Sequence, residues 1–420
     1  MFASDNSSTV SSNFDNSRFT NPSTPLDVSL PLQIKSSLGL REEFLAQPLG
    51  ASPSSNPNPL FSKTWWVHPD SNGDGKTDFF WHNTQTGENR LWLMDGATIS
   101  KESDLFRTDS DWSYQVGDVD GDGKKDLVWR NFTTGENAVW LLNNYEIKAS
   151  AFLTKVDDLS WSFKLGDTNG DGKQDLIWRN YKTGENAIWQ MNGLNYQQAE
   201  FITKVDDIKW DFKVGDTNGD GKADLIWRNS QSGENAVWIM DGFTLQKADF
   251  LFKVEDLNWK FKIADTNGDG KTDLVWRNYK TGENAVWFFK DDGLEYDYGA
   301  FLDKVDDLNW DFSIADTNGD GKTDLVWRNY QTGENAVWRI SAARVSGSNL
   351  GEGKIDDAKF IQSITDLNWD FNIGDYNGDG KSDLFWRNFQ TGENKLWFLN
   401  DLQLSSEATI SSLEKGWVFF

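Results

Sequence analysis

Seven short acidic stretches carry the chemistry of this chain. One of them reads Asp265-Thr-Asn-Gly-Asp-Gly-Lys-Thr-Asp273. With Asp265 as position 1, side-chain oxygens fall at positions 1, 3, 5 and 9, and position 7 offers its backbone carbonyl. Three carboxylates, an amide oxygen, a carbonyl and water make up the roughly six to eight hard oxygens that calcium takes. Magnesium, which prefers a strict octahedron and keeps its waters, suits such a loop less well. Gly268 and Gly270 let the backbone curl around an ion. The alternation is expected to turn the odd positions inward and Thr266 and Thr272 away.

The candidate ligands recur in register. They are Asp70, Asn72, Asp74, Lys76 and Asp78; then Asp118, Asp120, Asp122, Lys124 and Asp126; then Asp167, Asn169, Asp171, Lys173 and Asp175. The series continues with Asp216, Asn218, Asp220, Lys222 and Asp224; Asp265, Asn267, Asp269, Lys271 and Asp273; Asp316, Asn318, Asp320, Lys322 and Asp324; and Asp375, Asn377, Asp379, Lys381 and Asp383. Each lysine enters through its carbonyl. The second loop has Asp120 where the others have Asn, an extra charge expected to tighten that site. A single such run is no more than a polar turn, whereas seven in register predict about seven calcium ions. An EF-hand would need Glu at position 12 and a following helix; here position 12 is Trp276 and Leu274-Val-Trp reads as strand.

The elements that must hold these loops follow from their spacing. Successive first aspartates lie 48, 49, 49, 49, 51 and 59 residues apart. A period near 49 fits a four-stranded propeller blade. In one repeat Trp310, Phe312 and Ile314 alternate with polar residues before the loop, and Asp324-Leu-Val-Trp-Arg follows it. Tyr330-Gln-Thr-Gly-Glu then turns, with Gly333 supplying a positive φ. Ala336-Val-Trp-Arg returns, and Phe301-Leu-Asp-Lys-Val marks a fourth strand. The fold class predicted is all-β, a seven-bladed β-propeller of four-stranded antiparallel blades over residues 61–420, behind a disordered or loosely docked tail and linker at 1–60 rich in Ser, Asn and Pro. The Gly/Ser-rich segment Ala342–Lys354 reads as an enlarged loop. Trp417-Val-Phe-Phe420 repeats the first-strand motif with no loop after it, and is expected to help close the ring.

All 23 tryptophans lie from Trp65 onward, mostly three to a repeat. Each ring buries roughly 150–250 Å², so filling the wedges between blades is the simplest role for them. Arg130, Arg179, Arg228, Arg277, Arg328 and Arg387 follow equivalent tryptophans, and Glu88, Glu136, Glu185, Glu234, Glu283, Glu334 and Glu393 occupy the turns. These are expected to tie the blades together, as Arg–Glu pairs or as Arg stacked on Trp. A set of equivalent glycan pockets is the functional alternative. The first repeat departs from the rest: His68-Pro69 precedes its loop and His82 replaces the arginine.

The formal charge of −25 opposes binding to nucleic acid and to anionic membranes, and it suits a carrier of cations. Six loops hold three carboxylates each and the second holds four, 22 in all; seven divalent ions would leave the chain at −11. There is no cysteine, and His68 and His82 are the only histidines, so thiolate and multi-histidine metal centres are excluded. No apolar run approaches the ~20 residues of a membrane span.

The loop N-G-D-G-K-x-D, followed by D-L-[VI]-W-R-N and T-G-E-N-A-[VI]-W, resembles the FG-GAP/VCBS repeat. That is the calcium-binding blade unit of integrin α-subunits and many bacterial surface proteins, and it is similar to units in seven-bladed fungal lectins that bind amino sugars. The resemblance spans about Phe61 to Phe420. It implies calcium loops between the first two strands of each blade and carries over no sugar-binding residue. The function expected is a calcium-binding adhesion or binding module with a glycan or an extracellular protein as partner, a lectin being one form of it. The alternatives are a propeller-type polysaccharide lyase or hydrolase, and a structural matrix protein. Repetition without one asymmetric catalytic constellation favours a non-enzyme. A secreted or cell-surface monomer is expected, because extracellular modules bind calcium as weakly as roughly 10⁻⁴–10⁻³ M, although residues 1–30 lack the pattern of a secretory signal.

Overall fold

The computed structural model describes residues 69–344 and 351–419. The expected tail, Trp65, Trp66 and His68 lie outside the described residues. Within them, the chain forms seven four-stranded antiparallel sheets arranged as the blades of a propeller, with no helix among the described residues.

The third blade shows how the pattern builds a sheet. Its inner strand is Trp161–Gly166, its second Asp175–Asn180, its third Asn186–Asn192 and its outer strand Asn195–Ile202. Phe163, Trp178, Ala187 and Phe201 stand abreast across the four strands. The second strand is buried throughout, and the outer one is mostly exposed. Hydrophobic residues on one face of this blade, among them Leu165, Trp178 and Met191, interlock with Val128, Val139 and Leu141 of the second blade. The same wedge repeats around the ring, and the seven second-strand tryptophans are at most 1% exposed.

The C-terminus closes the ring. Trp417–Phe419 supplies the inner strand of the first blade, pairing with Phe79–Asn83 in the register Trp81↔Phe419, His82↔Val418 and Asn83↔Trp417. It covers the edge that Phe79–Asn83 would otherwise present toward the axis.

Two strand expectations need correction. The fourth strand of the fifth blade is Tyr296–Leu302, so Asp303-Lys-Val lies beyond it in the connection to the next blade. The segment Ala342–Lys354 is not a plain loop. The sixth blade's third and outer strands lengthen to Asn335–Arg344 and Gly351–Ile361 and pair out to Arg344↔Gly351. Gly353 lies so close to the fifth blade's outer strand that a Cβ there would stand 2.3 Å from the Phe301 carbonyl oxygen. The glycines that suggested a loop serve this close approach.

Gly184 in the T-G-E-N turn has the expected positive φ of 76°. It has a second duty. Its carbonyl accepts the Val205 amide at 2.9 Å, and a Cβ would lie 2.0 Å from the Val205 carbonyl oxygen. The turn therefore clasps the connection into the next blade, which only glycine permits.

Candidate metal centre

Each acidic loop joins an inner strand to a second strand. In the third blade Asp167 follows the inner strand directly, and Asp175 opens the second strand opposite Gly166. The first loop differs, because the inner strand of its blade comes from the other end of the chain. Position 1 organises the turn. One oxygen of Asp167 accepts the Gly170 amide at 2.7 Å and the Asp171 amide at 3.2 Å, and the other accepts the Gly172 amide at 2.8 Å. Asn169 accepts from the Asp171 amide at 2.9 Å, and Asp171 from the Lys173 amide at 3.0 Å. Amide donors thus orient the side chains at positions 1, 3 and 5 and leave lone pairs free on their oxygens.

Position 9 is set more deeply. Asp175 is fully buried; one of its oxygens accepts the Met191 amide at 2.9 Å, and the other accepts the amide and hydroxyl of Thr168. The expectation that position 2 points away is therefore wrong. The Thr266 hydroxyl donates to Asp273 at 2.6 Å, and the Thr217 hydroxyl to Asp224 at 2.8 Å. A buried carboxylate needs donors, and the residue beside position 1 is the nearest source. Thr272, at position 8, faces the neighbouring loop and accepts the Asp216 amide at 2.9 Å.

The charges are poorly compensated. Burial raises Asp175 to about 6, Asp78, Asp126, Asp224 and Asp324 to about 7, and Asp383 to about 8. Burial also raises Asp118, Asp167, Asp216, Asp265, Asp316 and Asp375, with the neighbouring aspartates adding to it. In the second loop Asp118, Asp120 and Asp126 each bring an oxygen within 4.8 Å of the others. This donor set fits a hard divalent cation: anionic oxygens gathered, pre-oriented and, at positions 1 and 9, short of positive charge. Asp120 does not simply add charge there, because the Lys148 ammonium stands 3.3 Å from it and 3.4 Å from Asp122.

The loops are joined to one another. The position 8 amide of each donates to the position 1 carbonyl of the loop before it. The donors are Lys125, Gln174, Ala223, Thr272, Thr323, Ser382 and Thr77, and the acceptors are Asp70, Asp118, Asp167, Asp216, Asp265, Asp316 and Asp375, at 2.6 to 3.0 Å. The last pair joins the first loop to the seventh, so the belt is closed. Lys173 lies across Gly121 of the preceding loop, where a Cβ would meet its Cγ at 3.2 Å. The turn between third and outer strands also docks on the preceding loop, as where the Gly193 amide donates to the Val119 carbonyl at 2.7 Å. None of these backbone ties carries a side-chain signature. The only sequence cue was the Ser or Thr at position 2 of most loops.

A second belt lies about four residues, roughly 13 Å, farther along the second strands. Arg130, Arg179, Arg228, Arg277, Arg328 and Arg387 each lie over the second-strand tryptophan of the next blade at 4.7 to 5.1 Å. Each also donates to an Asn seven residues on, as Arg277 to Asn284 at 3.0 Å. Burial lowers Arg130, Arg228 and Arg387 to about 10, so all three remain charged. Of the two ties expected, the structure has Arg on Trp. The turn glutamates instead accept from their own turns, as Glu185 from the Thr183 hydroxyl at 2.7 Å. His82 keeps the arginine's partner, with its Nδ1 2.7 Å from Asn89, and burial lowers its pKa.

The FG-GAP-like repeat profile matches residues 70–129, 118–178, 167–227, 216–276 and 316–386. No curated protein matches the chain significantly. Among solved structures, a putative 6-phosphogluconolactonase from Bacteroides fragilis is 14% identical with a TM-score of 0.42, over 83% of this chain and 99% of that one. Kluyveromyces lactis Hsv2 is 12% identical with a TM-score of 0.42, over 70% and 85%. The propeller domain of Myceliophteria thermophila Cps50 (Swd1) is 10% identical with a TM-score of 0.40, over 73% and 95%. These distant likenesses carry nothing about function. The repeat matches cover more than half of the chain, and they fall on the loops and strands described above: the protein belongs to the FG-GAP-like repeat family.

Proposed function

We propose that the protein is a calcium-loaded binding module that works outside the cell, on a cell surface or after secretion, as a monomer. The ions would be held by positions 1, 3, 5 and 9 and the position 7 carbonyl of each loop. Their part is structural: a divalent cation offsets the crowded carboxylates and fixes the loop belt. The observation that carries the reading is that belt, in which all seven acidic loops share one geometry and are bonded to one another in a closed circle.

The charge of −25 supports partners other than nucleic acid or an anionic membrane. Among the described residues no helix is long and apolar enough to cross a membrane. Equivalent sites around a rigid ring suit weak multivalent engagement, where avidity supplies the strength. An enzyme would need one asymmetric set of acid, base and nucleophile, whereas the loop carboxylates are all equivalent and all turned to the same task.

Equilibrium dialysis against calcium tests the compartment. Half-filling at roughly 10⁻⁴–10⁻³ M supports an extracellular module. Half-filling below about 10⁻⁶ M would point to the cytosol, and no uptake at millimolar calcium would overturn the reading.

A further inference from the structure

Five consecutive blades carry the same exposed aromatic feature, which neither the loops nor the arginine belt explains. On the outer strands of the second to sixth blades Phe152, Phe201, Phe250, Phe301 and Phe360 are 48–70% exposed. Each stands opposite an alanine on the third strand: Ala138, Ala187, Ala236, Ala285 and Ala336. The tryptophan that begins the inner strand reaches the same face and meets each phenylalanine. Trp112, Trp161, Trp210, Trp259 and Trp310 have ring centres 6.0 to 6.3 Å from the phenylalanines, at 50° to 63°. The result is a shallow seat repeated five times: an exposed phenyl face braced by the indole it touches, over a buried alanine.

The other two blades, adjacent at the ring closure, carry polar side chains in place of this pair. In the first blade Arg90 replaces the alanine and Asp104 the phenylalanine; Arg90 lies 5.4 Å over Trp417 and 2.7 Å from Asp104. In the seventh, Lys395 and Thr409 stand at these places, and the Lys395 ammonium lies 5.2 Å over Trp369. Where the floor is small the phenylalanine is present, and where a cation covers the tryptophan it is absent.

We infer that these five seats bind the sugar rings of an uncharged polysaccharide. The inference rests on the reading of the chain as a binding module and names its ligand class. Size points this way. A stable protein interface needs about 800 Å² from each side, and one phenylalanine with part of an indole offers only a fraction of that. The seat matches a unit of about one pyranose, whose C–H face packs on aromatic carbon. Charge points the same way, since a chain at −25 repels uronic or sulfated polymers and equally a second copy of itself. Repetition supplies the rest: five weak equivalent seats engage a polymer of like units through avidity. The connection after each of the first four of these strands places a half-exposed Lys beside an acid, as Lys155 with Asp157 at 2.8 Å and Lys204 with Asp206 at 2.8 Å. Such pairs offer donors and acceptors for hydroxyls.

The test is affinity electrophoresis of the full chain in calcium, in gels holding a neutral glucan, mannan, galactan or soluble chitosaccharide, with dextran sulfate as the anionic arm. At least one neutral polymer should retard the protein. Successive Phe→Ala changes at 152, 201, 250, 301 and 360 should weaken retardation stepwise, by tenfold or more for the fivefold variant. Its melting temperature should stay within a few degrees of the parent's. Arg90→Ala with Asp104→Phe should strengthen retardation by adding a sixth seat. Retardation by dextran sulfate alone, by none of the polymers, or equally in the fivefold variant would overturn the inference. So would a phenylalanine-dependent dimer in sedimentation, which would make the arc a self-association surface. Calcium content is measured on the same preparation, so an ion-loaded chain that binds no sugar fails this inference and leaves the metal reading standing.

Discussion

Two belts tie the blades together, and they differ in what they need. The arginine belt carries its cation in the chain. A guanidinium lies over the next blade's indole and donates to an asparagine oxygen, as Arg277 does over Trp327 and to Asn284, while the Nε of Arg277 finds no acceptor. The loop belt has its anions in the chain and, on the proposed reading, would draw its cation from solution. Its position 9 carboxylates are buried and pushed up toward neutrality, and its position 1 carboxylates are raised as well. Both belts use backbone or side-chain contacts that cross from blade to blade, yet on the proposed reading only the loop belt would depend on the solution around it. A ring built this way would keep its aromatic core packed whether or not an ion makes the loop end firm.

Removing the ion should have the largest effect. A ligand at about 100 times its Kd contributes roughly 2.7 kcal/mol per site, and about 1 kcal/mol shifts Tm by a few degrees in a domain above 150 residues. Excess EDTA should therefore lower Tm by about 10 °C or more, as read by near-UV circular dichroism. An unchanged melt would erase the difference between the belts.

Cutting the other belt should cost less and should not depend on calcium. Arg277→Met keeps most of the packing volume but orphans the Asn284 oxygen and removes the contact with Trp327. The expected loss is about 2 kcal/mol, the same with calcium and in chelator. A loss that appeared only in chelator would mean that the two belts are one coupled system.

A third experiment separates proton from metal. In chelator, folded Asp175, Asp78, Asp126, Asp224, Asp324 and Asp383 hold protons up to pH about 6 to 8, whereas unfolded aspartate releases its proton near pH 3.9. Between those limits the folded chain binds more protons. The stability these groups contribute is full below about pH 4 and lost as pH rises through 6 to 8. Metal-free protein should therefore melt lower at pH 8 than at pH 5. With millimolar calcium that fall should flatten or reverse, since the ion takes the place of the proton.

Most of this architecture was legible because the repeat states it seven times. The alternation of Trp310, Phe312 and Ile314 fixed an inner strand, and the oxygen spacing from Asp265 to Asp273 fixed a loop at its end. Outer strands were harder to read. Both faces of Tyr296–Leu302 are partly solvated, so it lacks a clean apolar alternation and its sequence does not mark its ends. Gly351 and Gly353 looked like loop composition because sequence alone does not show which backbone lies against them. The belt of position 8 amides was illegible for a plainer reason: Lys125, Gln174, Ala223 and Thr272 share no side chain, only an N–H. The phenylalanine arc left a visible trace, a Phe followed by Leu or Ile in five repeats, but its exposure appears only in three dimensions.

The loop belt is tested most directly by disabling one loop and counting ions in the rest. Asp269→Asn removes a carboxylate from the fifth loop, whose Asp265 carbonyl accepts the Thr323 amide and whose Thr272 amide reaches Asp216. Calcium titration by calorimetry should show about seven ions for the parent. For the variant, a shared belt predicts the loss of one ion together with about threefold or more weaker binding at two neighbouring sites. Six sites of unchanged affinity would contradict it.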